Sequence, residues 1–341
     1  MVYYYLKQTI PVNYIALAKL PSFRNSDAAI SSTRITAMDR IPPRTTFTEP
    51  SPTVEDIWSS GRNVKYSDVT GYNAGRLNIP SHNMKTGKLW YYTIGSCTTN
   101  GIAGAYSHVL AEAESLPYLG FHGEMEHRTT AYNHLRDLLG VINIDSTLTF
   151  GQTQPTQQTH NYQVSMALTG SNVSRPTSLD YKGNYLPGQF VGDLQYNSTT
   201  TNFTILSGSI KVKNTVELDK SNSIFPTAAT PLKREYEINF DGLLTQPTLL
   251  TIPDDPADYS SKKIELAFKV YKGASSAADY VGFSFTSLRM DKLMAVKIDE
   301  DEYRWKANII LRNAGARNSS TSAGKLTMKI QDDLSANHYE R

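Results

Sequence analysis

The segment His122-Gly-Glu-Met-Glu-His127 places two imidazoles and two carboxylates within six residues, donors that suit a divalent cation. The spacing does not bring them together. On a strand, His122 and His127 point to opposite faces, and the order is not the helical His-Glu-X-X-His of zinc hydrolases. Asp254-Asp255 and Asp299-Glu-Asp-Glu302 carry enough oxygen for calcium, but the second run falls between two alternating segments and reads as a solvated turn. Cys97 is the only cysteine, so no disulfide forms within the chain; it reads as a small buried side chain rather than a nucleophile. No Gly-X-Ser-X-Gly elbow or phosphate-cradling glycine loop occurs. Asn197-Ser-Thr and Asn202-Phe-Thr match the glycosylation acceptor pattern, which has meaning only on a secreted chain. The reading is a chain with no catalytic, cofactor or metal site, and not an enzyme.

The bulk properties agree with a structural role. With 341 residues the chain can bury two full cores. A net charge of +2 gives no polyanion or membrane signal. Tyrosine is abundant, 21 residues against 3 Trp, and suits both strands and half-wet interfaces. The opening Met1–Lys7 lacks a charged stretch followed by a long apolar core, so no secretory leader is expected. No apolar run approaches the roughly 20 residues that span a bilayer. The lone cysteine fits assembly in a reducing cytoplasm.

One strand-rich pattern occurs twice. Val141–Phe150 followed by His160–Gly170 is echoed by Leu288–Ile298 followed by Tyr303–Gly315. A β-unit repeated after roughly 150 residues predicts two tandem domains. The expected boundaries are a first domain over 1–170 with an N-terminal arm, a Ser/Pro/Gly-rich linker over 171–190, a second domain over 191–315, and a C-terminal arm over 316–341. Alternation is clear in the second unit: Leu206, Gly208, Ile210 and Val212 on one face, Lys211 and Lys213 on the other; Tyr236, Ile238 and Phe240 against Glu235 and Glu237; Ile264, Leu266 and Phe268 against Lys263 and Glu265. The first unit carries a strand at Lys88–Gly95 and two expected helices. Gly104–Leu116 would bury Tyr106, Val109, Leu110 and Ala113, and Thr130–Gly140 has a Thr start and a Gly stop. Pro43, Pro50 and Pro52 argue against a central strand and make 44–61 a long loop; 218–231 is its counterpart. Lys325–Gln331 reads as a strand that completes its own sheet or adds to a neighbour's edge. The expected fold is mainly β: two tandem antiparallel β-sandwich or barrel domains with short flanking helices, long inter-strand loops and terminal arms.

Gln189–Tyr196 and Leu206–Glu217, with Asn239-Phe-Asp-Gly-Leu-Leu and the closing pair Leu288–Asn313, resemble the tail tube (major tail) proteins of long-tailed, non-contractile phages and related tailed viruses. Leu116–Phe121, Gly140–Ser146 and Ala167–Gly170 match the same scheme in the first unit. The helix at 104–116 and both arms depart from it. The resemblance implies a subunit whose tube domains form rings of six that stack into a hollow tube passing DNA. With the domain duplicated, it implies trimeric rings of pseudo-sixfold symmetry. The implied partners are other copies of the chain, a tape-measure protein and viral DNA in the lumen, and terminator and tip proteins at the ends. No membrane partner is implied. The implied location is the virion tail, assembled in the host cytoplasm. Ring closure removes sheet edges and head-to-tail stacking is open-ended, so the physics is compatible.

The same resemblance assigns ring bridging to the loops 44–61 and 218–231, with Phe47, Trp58, Ile224 and Phe225 as interface anchors. The alternative has those side chains folding back on their own domain. Lys211, Lys213, Glu235, Glu237, Lys263 and Glu265 are lumen-facing candidates, the alternative being the outer wall. Two other functions remain open: a tail-tip or surface carbohydrate-binding adhesion module, and a neck or decoration protein.

Overall fold

The computed structural model describes residues 9–24, 30, 35–36, 45–58, 65–83, 87–102, 105–126, 133–151, 156–169, 190–196, 199–200, 203–219, 225–244, 264–271, 280–299, 304–313 and 326–332. The chain is mainly β. The first half contributes β1 (Thr9–Lys19), β2 (Ile35–Thr36), β3 (Thr46–Thr48), β4 (Ser51–Trp58), β5 (Lys65–Asn73), β6 (Gly75–Asn83), the helix α1 (Lys88–Ile94), β7 (Gly95–Ile102), β8 (Ala105–Glu112), β9 (Leu119–Glu126), β10 (Asn133–Gly151) and β11 (Gln157–Thr169). The second contributes β12 (Phe190–Tyr196), β13 (Thr199–Thr200), β14 (Phe203–Asp219), β15 (Ala228–Leu244), β16 (Ile264–Tyr271), β17 (Tyr280–Asp299), β18 (Arg304–Asn313) and β19 (Leu326–Asp332). Residues 171–189 of the expected linker lie outside the described residues, as do 1–8, 314–325 and 333–341 towards the ends; the expected C-terminal arm carries β19.

Three local expectations are reversed. Ala105–Glu112 is a strand, not a helix: it runs antiparallel between β7 and β19, and buries His108 and Leu110 two apart. Its Ala and Leu favour a helix intrinsically, but pairing on both edges outweighs that weak preference. Asn133–Gly140 is the start of β10, held between β9 and β11, and Gly140 sits at φ +60° in a bulge instead of ending a helix. Conversely, Lys88–Ile94 is a helix. All seven of its residues are buried, so the run has no periodicity, and periodicity is what separates strand from helix. The segment 44–61 is also not a loop, since it carries β3 and β4. Pro50 marks the break between them, and Pro52 lies on the separate two-stranded hairpin β4–β5, where proline is tolerated.

Six strands of each half pair in the same order. In the first half β1 pairs β9, then β10, β11, β6 and β3, and β3 returns to β1. In the second, β12 pairs β16, then β17, β18, β15 and β14. The irregularities repeat as well. The β9–β10 ladder slips between Leu138 and Val141, and the β16–β17 ladder between Phe285 and Leu288. The β10–β11 ladder slips between Asn143 and Asp145, and the β17–β18 ladder between Met290 and Lys292. Both slips recur 147 positions further on (138 to 285, 143 to 290). Each half also carries a long hairpin kinked at Thr-Val-Glu, at Thr53/Val54 and at Thr215/Val216.

The halves share one sheet. β14 pairs β10 over seven residues, from Asp145 opposite Lys213 to Gly151 opposite Ser207. β19 lies between β17 and β8, so the C-terminal strand completes a sheet of its own chain. A single apolar cluster runs through both halves, joining Leu148 and Phe150 to Ile210, Val212 and Phe240. Gly208 is what lets the seam close. It sits in register between Phe150 and Phe240, whose ring centroids are 6.0 Å apart. A Cβ there would lie 2.6 Å from Phe240 Cδ1 and 2.8 Å from Phe150 Cζ. Gly208→Ala is expected to destabilise the fold by about 1–3 kcal/mol through overpacking. A lowered midpoint of urea unfolding would register it; an unchanged midpoint would mean the rings yield without strain.

Candidate functional site

Strict alternation along strands that are consecutive across the seam builds one broad polar face. The strands run β6, β11, β10, β14, β15, β18. Leu77, Tyr162, Leu148, Ile210, Ile238 and Phe240 point inward and are fully buried. One position along each strand, the side chains face out: Arg76 and Asn78 on β6, Asn161 on β11, Asp145 and Thr147 on β10, Lys211 and Lys213 on β14, Glu237, Asn239 and Asp241 on β15, and Asn308 on β18. Amides cross-link the face. Asn161 Nδ2 donates to Asp145 Oδ1 at 2.8 Å, and Asn308 Nδ2 donates to Asn239 Oδ1 at 2.6 Å and Asp241 Oδ1 at 2.9 Å.

The charges are mixed. Lys211 stands opposite Glu237, and Lys213 opposite Glu235 on one side and Asp145 on the other. Glu235 is bonded to Lys233, with Nζ 2.5 Å from Oε1 on an exposed surface. Opposite charges facing each other across strands cancel the local field, so the face offers no phosphate-binding groove. Lys211→Ala is expected to change stability by less than about 1 kcal/mol, because exposed ion pairs contribute little. A urea midpoint shifted beyond that would show a buried role for the lysine.

The lumen candidates are thus partly gathered. Lys211, Lys213, Glu235 and Glu237 share this face; Glu265 lies on β16, opposite Gln195, away from it; Lys263 falls outside the described residues. Asp145, Asn161, Asn239, Asp241 and Arg76 were missed. Asp145 and Asn161 lie in the recurring segments 141–150 and 160–170, but only the tertiary pairing sets Asp145 opposite Lys213 of β14, with Asn161 bonded to it from β11.

The interface anchors fare differently. Phe47 is a correction: it is wholly buried in the core, opposite Leu77 on one side and Ile10 on the other. The alternation of β3 directs it inward, so its side chain offers no surface to a neighbour. Phe225 packs against Tyr72 with the ring centroids 4.1 Å apart and the planes tilted by 35°, and Arg24 Nη1 donates to the Phe225 and Pro226 carbonyls at 3.3 and 3.4 Å. The base of the β14–β15 hairpin loop therefore rests on the first half of its own chain. Trp58 is placed only by its backbone, opposite Lys65, and Ile224 lies outside the described residues.

Beneath the face lies a buried polar chain. Ser146 Oγ and His160 Nδ1 are 2.7 Å apart, the contact of a nucleophile with its base. Both side chains are fully buried, which removes them from substrate. His160 Nε2 donates to Gln158 Oε1 at 3.2 Å, and the same oxygen accepts Trp90 Nε1 at 3.1 Å. Gln158 Nε2 donates to His82 Nε2 at 3.1 Å, and His82 Nδ1 donates to the Pro80 carbonyl at 2.9 Å. The amide donor on its Nε2 assigns the His82 imidazole as neutral. On the other side, Asn143 Nδ2 donates to Ser146 Oγ at 2.9 Å, Asn214 Nδ2 donates to Asn143 Oδ1 at 3.2 Å, and Arg234 Nε donates to Asn214 Oδ1 at 2.9 Å. The chain of bonds ties α1, β10 and β11 to β14 and β15.

This network predicts a pH profile. Burial holds His160 well below the usual 6.5, with His82 beside it lowered by the same cause. Below about pH 6.5 the unfolded chain takes up protons that the folded chain refuses, so stability falls as pH falls. Burial raises Tyr92, Tyr162 and Tyr236 above the usual 10.0, so above that pH the unfolded chain alone ionises and stability falls again. Urea midpoints should form a plateau between these limits. His160→Gln should flatten the acid side; an acid limb unchanged in that variant would exclude His160 as its source.

His122, the possible metal donor, is committed elsewhere. Its Nδ1 lies 2.6 Å from Asp137 Oδ1, and Asp137 Oδ2 accepts the Ile30 backbone N–H at 2.7 Å, all of it buried. His127 lies outside the described residues. Among the described residues no three His, Cys, Asp or Glu side chains are grouped to hold a metal. A cleft of about 510 Å³ opens between the halves, lined by Phe23, Tyr91, Tyr118 and the β14–β15 hairpin at Val216, Ala229 and Pro231. No helix among the described residues is long and apolar enough to cross a membrane. Comparison with protein-family models finds no match, and no curated protein matches the sequence.

Proposed function

We propose that the chain is the structural subunit of a viral tail tube, with three copies forming a pseudo-hexameric ring and rings stacking into a channel for genome passage. The observation that carries this reading is the sheet that passes from one half to the other through β10 and β14. One face is core; the other is polar, amide-linked and mixed in charge. Such a face can line a conduit, because a polyanion slides past it without finding a uniform positive surface to bind. The repeated pairing order supports reading the halves as two copies of one tube domain. On this reading the inner partners are a tape-measure protein and viral DNA, the end partners are terminator and tip proteins, and the protein resides in the virion tail without membrane contact.

Electron microscopy of the purified chain tests it. Hollow tubes with a ring repeat of about 40 Å, the height of roughly 12 residues of strand, are the expected result. A chain that stays monomeric over a range of concentration and salt would overturn it. The aromatic cleft at Tyr91 and Tyr118 favours a second reading, a carbohydrate-binding module of the tail tip. Saturable glycan binding by a non-assembling chain would select it.

A further inference from the structure

β17 carries an edge that its counterpart does not leave open. Residue sharing defines the edges. On β10, β9 and β11 both pair residues 136–138, so they occupy opposite edges; β14 and β11 both pair 145–149, so β14 follows β9 along one edge. On β17, β16 and β18 both pair Leu288, so they too lie on opposite edges. Beyond Leu288 the β16 edge continues as Arg289–Asp299, and among the described residues no strand pairs with it. The equivalent stretch of β10 is the one that β14 takes.

The strand equivalent to β14 can be found by walking the ladders. Asn143 corresponds to Met290 at the shared bulge; their partners Tyr162 and Leu311 then correspond. Tyr162 faces Leu77 and Leu311 faces Ile238; Leu77 faces Phe47 and Ile238 faces Ile210. Phe47 therefore stands where Ile210 stands, and β3 is the counterpart of β14. Ile210 lies opposite Leu148, whose counterpart is Ala295. Within one chain β3 cannot use this edge, because Thr9–Pro11 of β1 covers it.

We propose that the open edge of β17 accepts the β3 edge of a second copy, with Ala295 opposite Phe47 and Val296 opposite Thr46, after that copy's Thr9–Pro11 has left. This pairing deepens the tube reading and rests on it for the ring. The seam within each chain and the seam between chains then alternate, and three copies close with no free edge of this kind. Thr9–Pro11 acts as a removable cap that keeps a newly made chain from pairing early.

The test uses the full chain with Cys97→Ser. Directly opposite residues on antiparallel strands lie within disulfide reach. The pair Thr149→Cys and Ser209→Cys spans the seam within a chain and should cross-link internally, as a geometric control. The equivalent pair Thr46→Cys and Val296→Cys should give, on mild oxidation of assembled protein, covalent species ending at a trimer on a denaturing gel. The pair Pro11→Cys and Thr46→Cys should lock the cap when oxidised, abolish assembly, and recover it with reductant. Tubes that form without the 46–296 cross-link would overturn the pairing and leave the tube reading intact. Cross-linked trimers that never stack would support the pairing and remove the tube. A chain that stays monomeric would overturn both.

Discussion

Ile210→Asp is expected to lower the urea midpoint of the chain severely at neutral pH. Ile210 is wholly buried at the seam, in register with Leu148 on β10 and Ile238 on β15. A carboxylate placed there has no partner and is either desolvated as an anion or protonated against its preference. Either way the cost, with the lost apolar contact, is about 4 kcal/mol or more. Domains are stable by about 5–15 kcal/mol, so a loss of this size removes from about a quarter to most of the margin. The control is one residue away. Lys211→Asp sits on the exposed face of the same strand and should fold, since only strand parity separates the two sites. Circular dichroism and urea unfolding of the pair make the comparison. If Ile210→Asp unfolds at the parent's midpoint, the seam does not exist as described.

Trp90→Ala should cost about 3–5 kcal/mol, the range for deleting a large buried aromatic. Trp90 is the largest fully buried side chain among the described residues, and α1 presents it to both halves. Its ring meets His160 edge-on at 5.5 Å and Phe283 at 6.1 Å, and its Nε1 holds Gln158. The truncation leaves a cavity where first-half and second-half strands meet, so both should loosen together. Trp90→Phe should cost markedly less, because Gln158 Oε1 keeps its bond from His160. Urea unfolding followed by two probes, one per half, checks this. Loss of protection confined to the first half would show that α1 does not join the two.

Much of the strand content was legible because its signal is local. Tyr236, Ile238 and Phe240 alternate with polar residues and lie buried in the structure; Lys211 and Lys213 are exposed where alternation put them. The paired echoes at 141–170 and 288–315 are antiparallel hairpins in both halves. Leu206 shows where the pattern breaks: the ladder slips between Ile205 and Ser207, so one residue is extra and the parity changes behind it. The helices were misplaced for a related reason. Ala and Leu in 105–112 favour a helix, and the apolar run 88–94 has no period at all. In both places a neighbouring strand or an enclosing core decides, and neither is visible in a local window. Of the site, the charges on β14 and β15 were readable, whereas Phe47 looked like a loop anchor until β1 and β6 enclosed it.

The mainly β class and the faces of the alternating strands could be read from the amino-acid order alone. Those follow from period, composition and spacing, which act over a few residues. That β14 joins β10, that a polar face therefore crosses both halves, and that the matching edge of β17 is open among the described residues emerge only from the folded chain. Backbone N–H and C=O groups are alike in every residue, so a strand's choice of partner is written in no single segment. It is set by which buried faces must close over the same core.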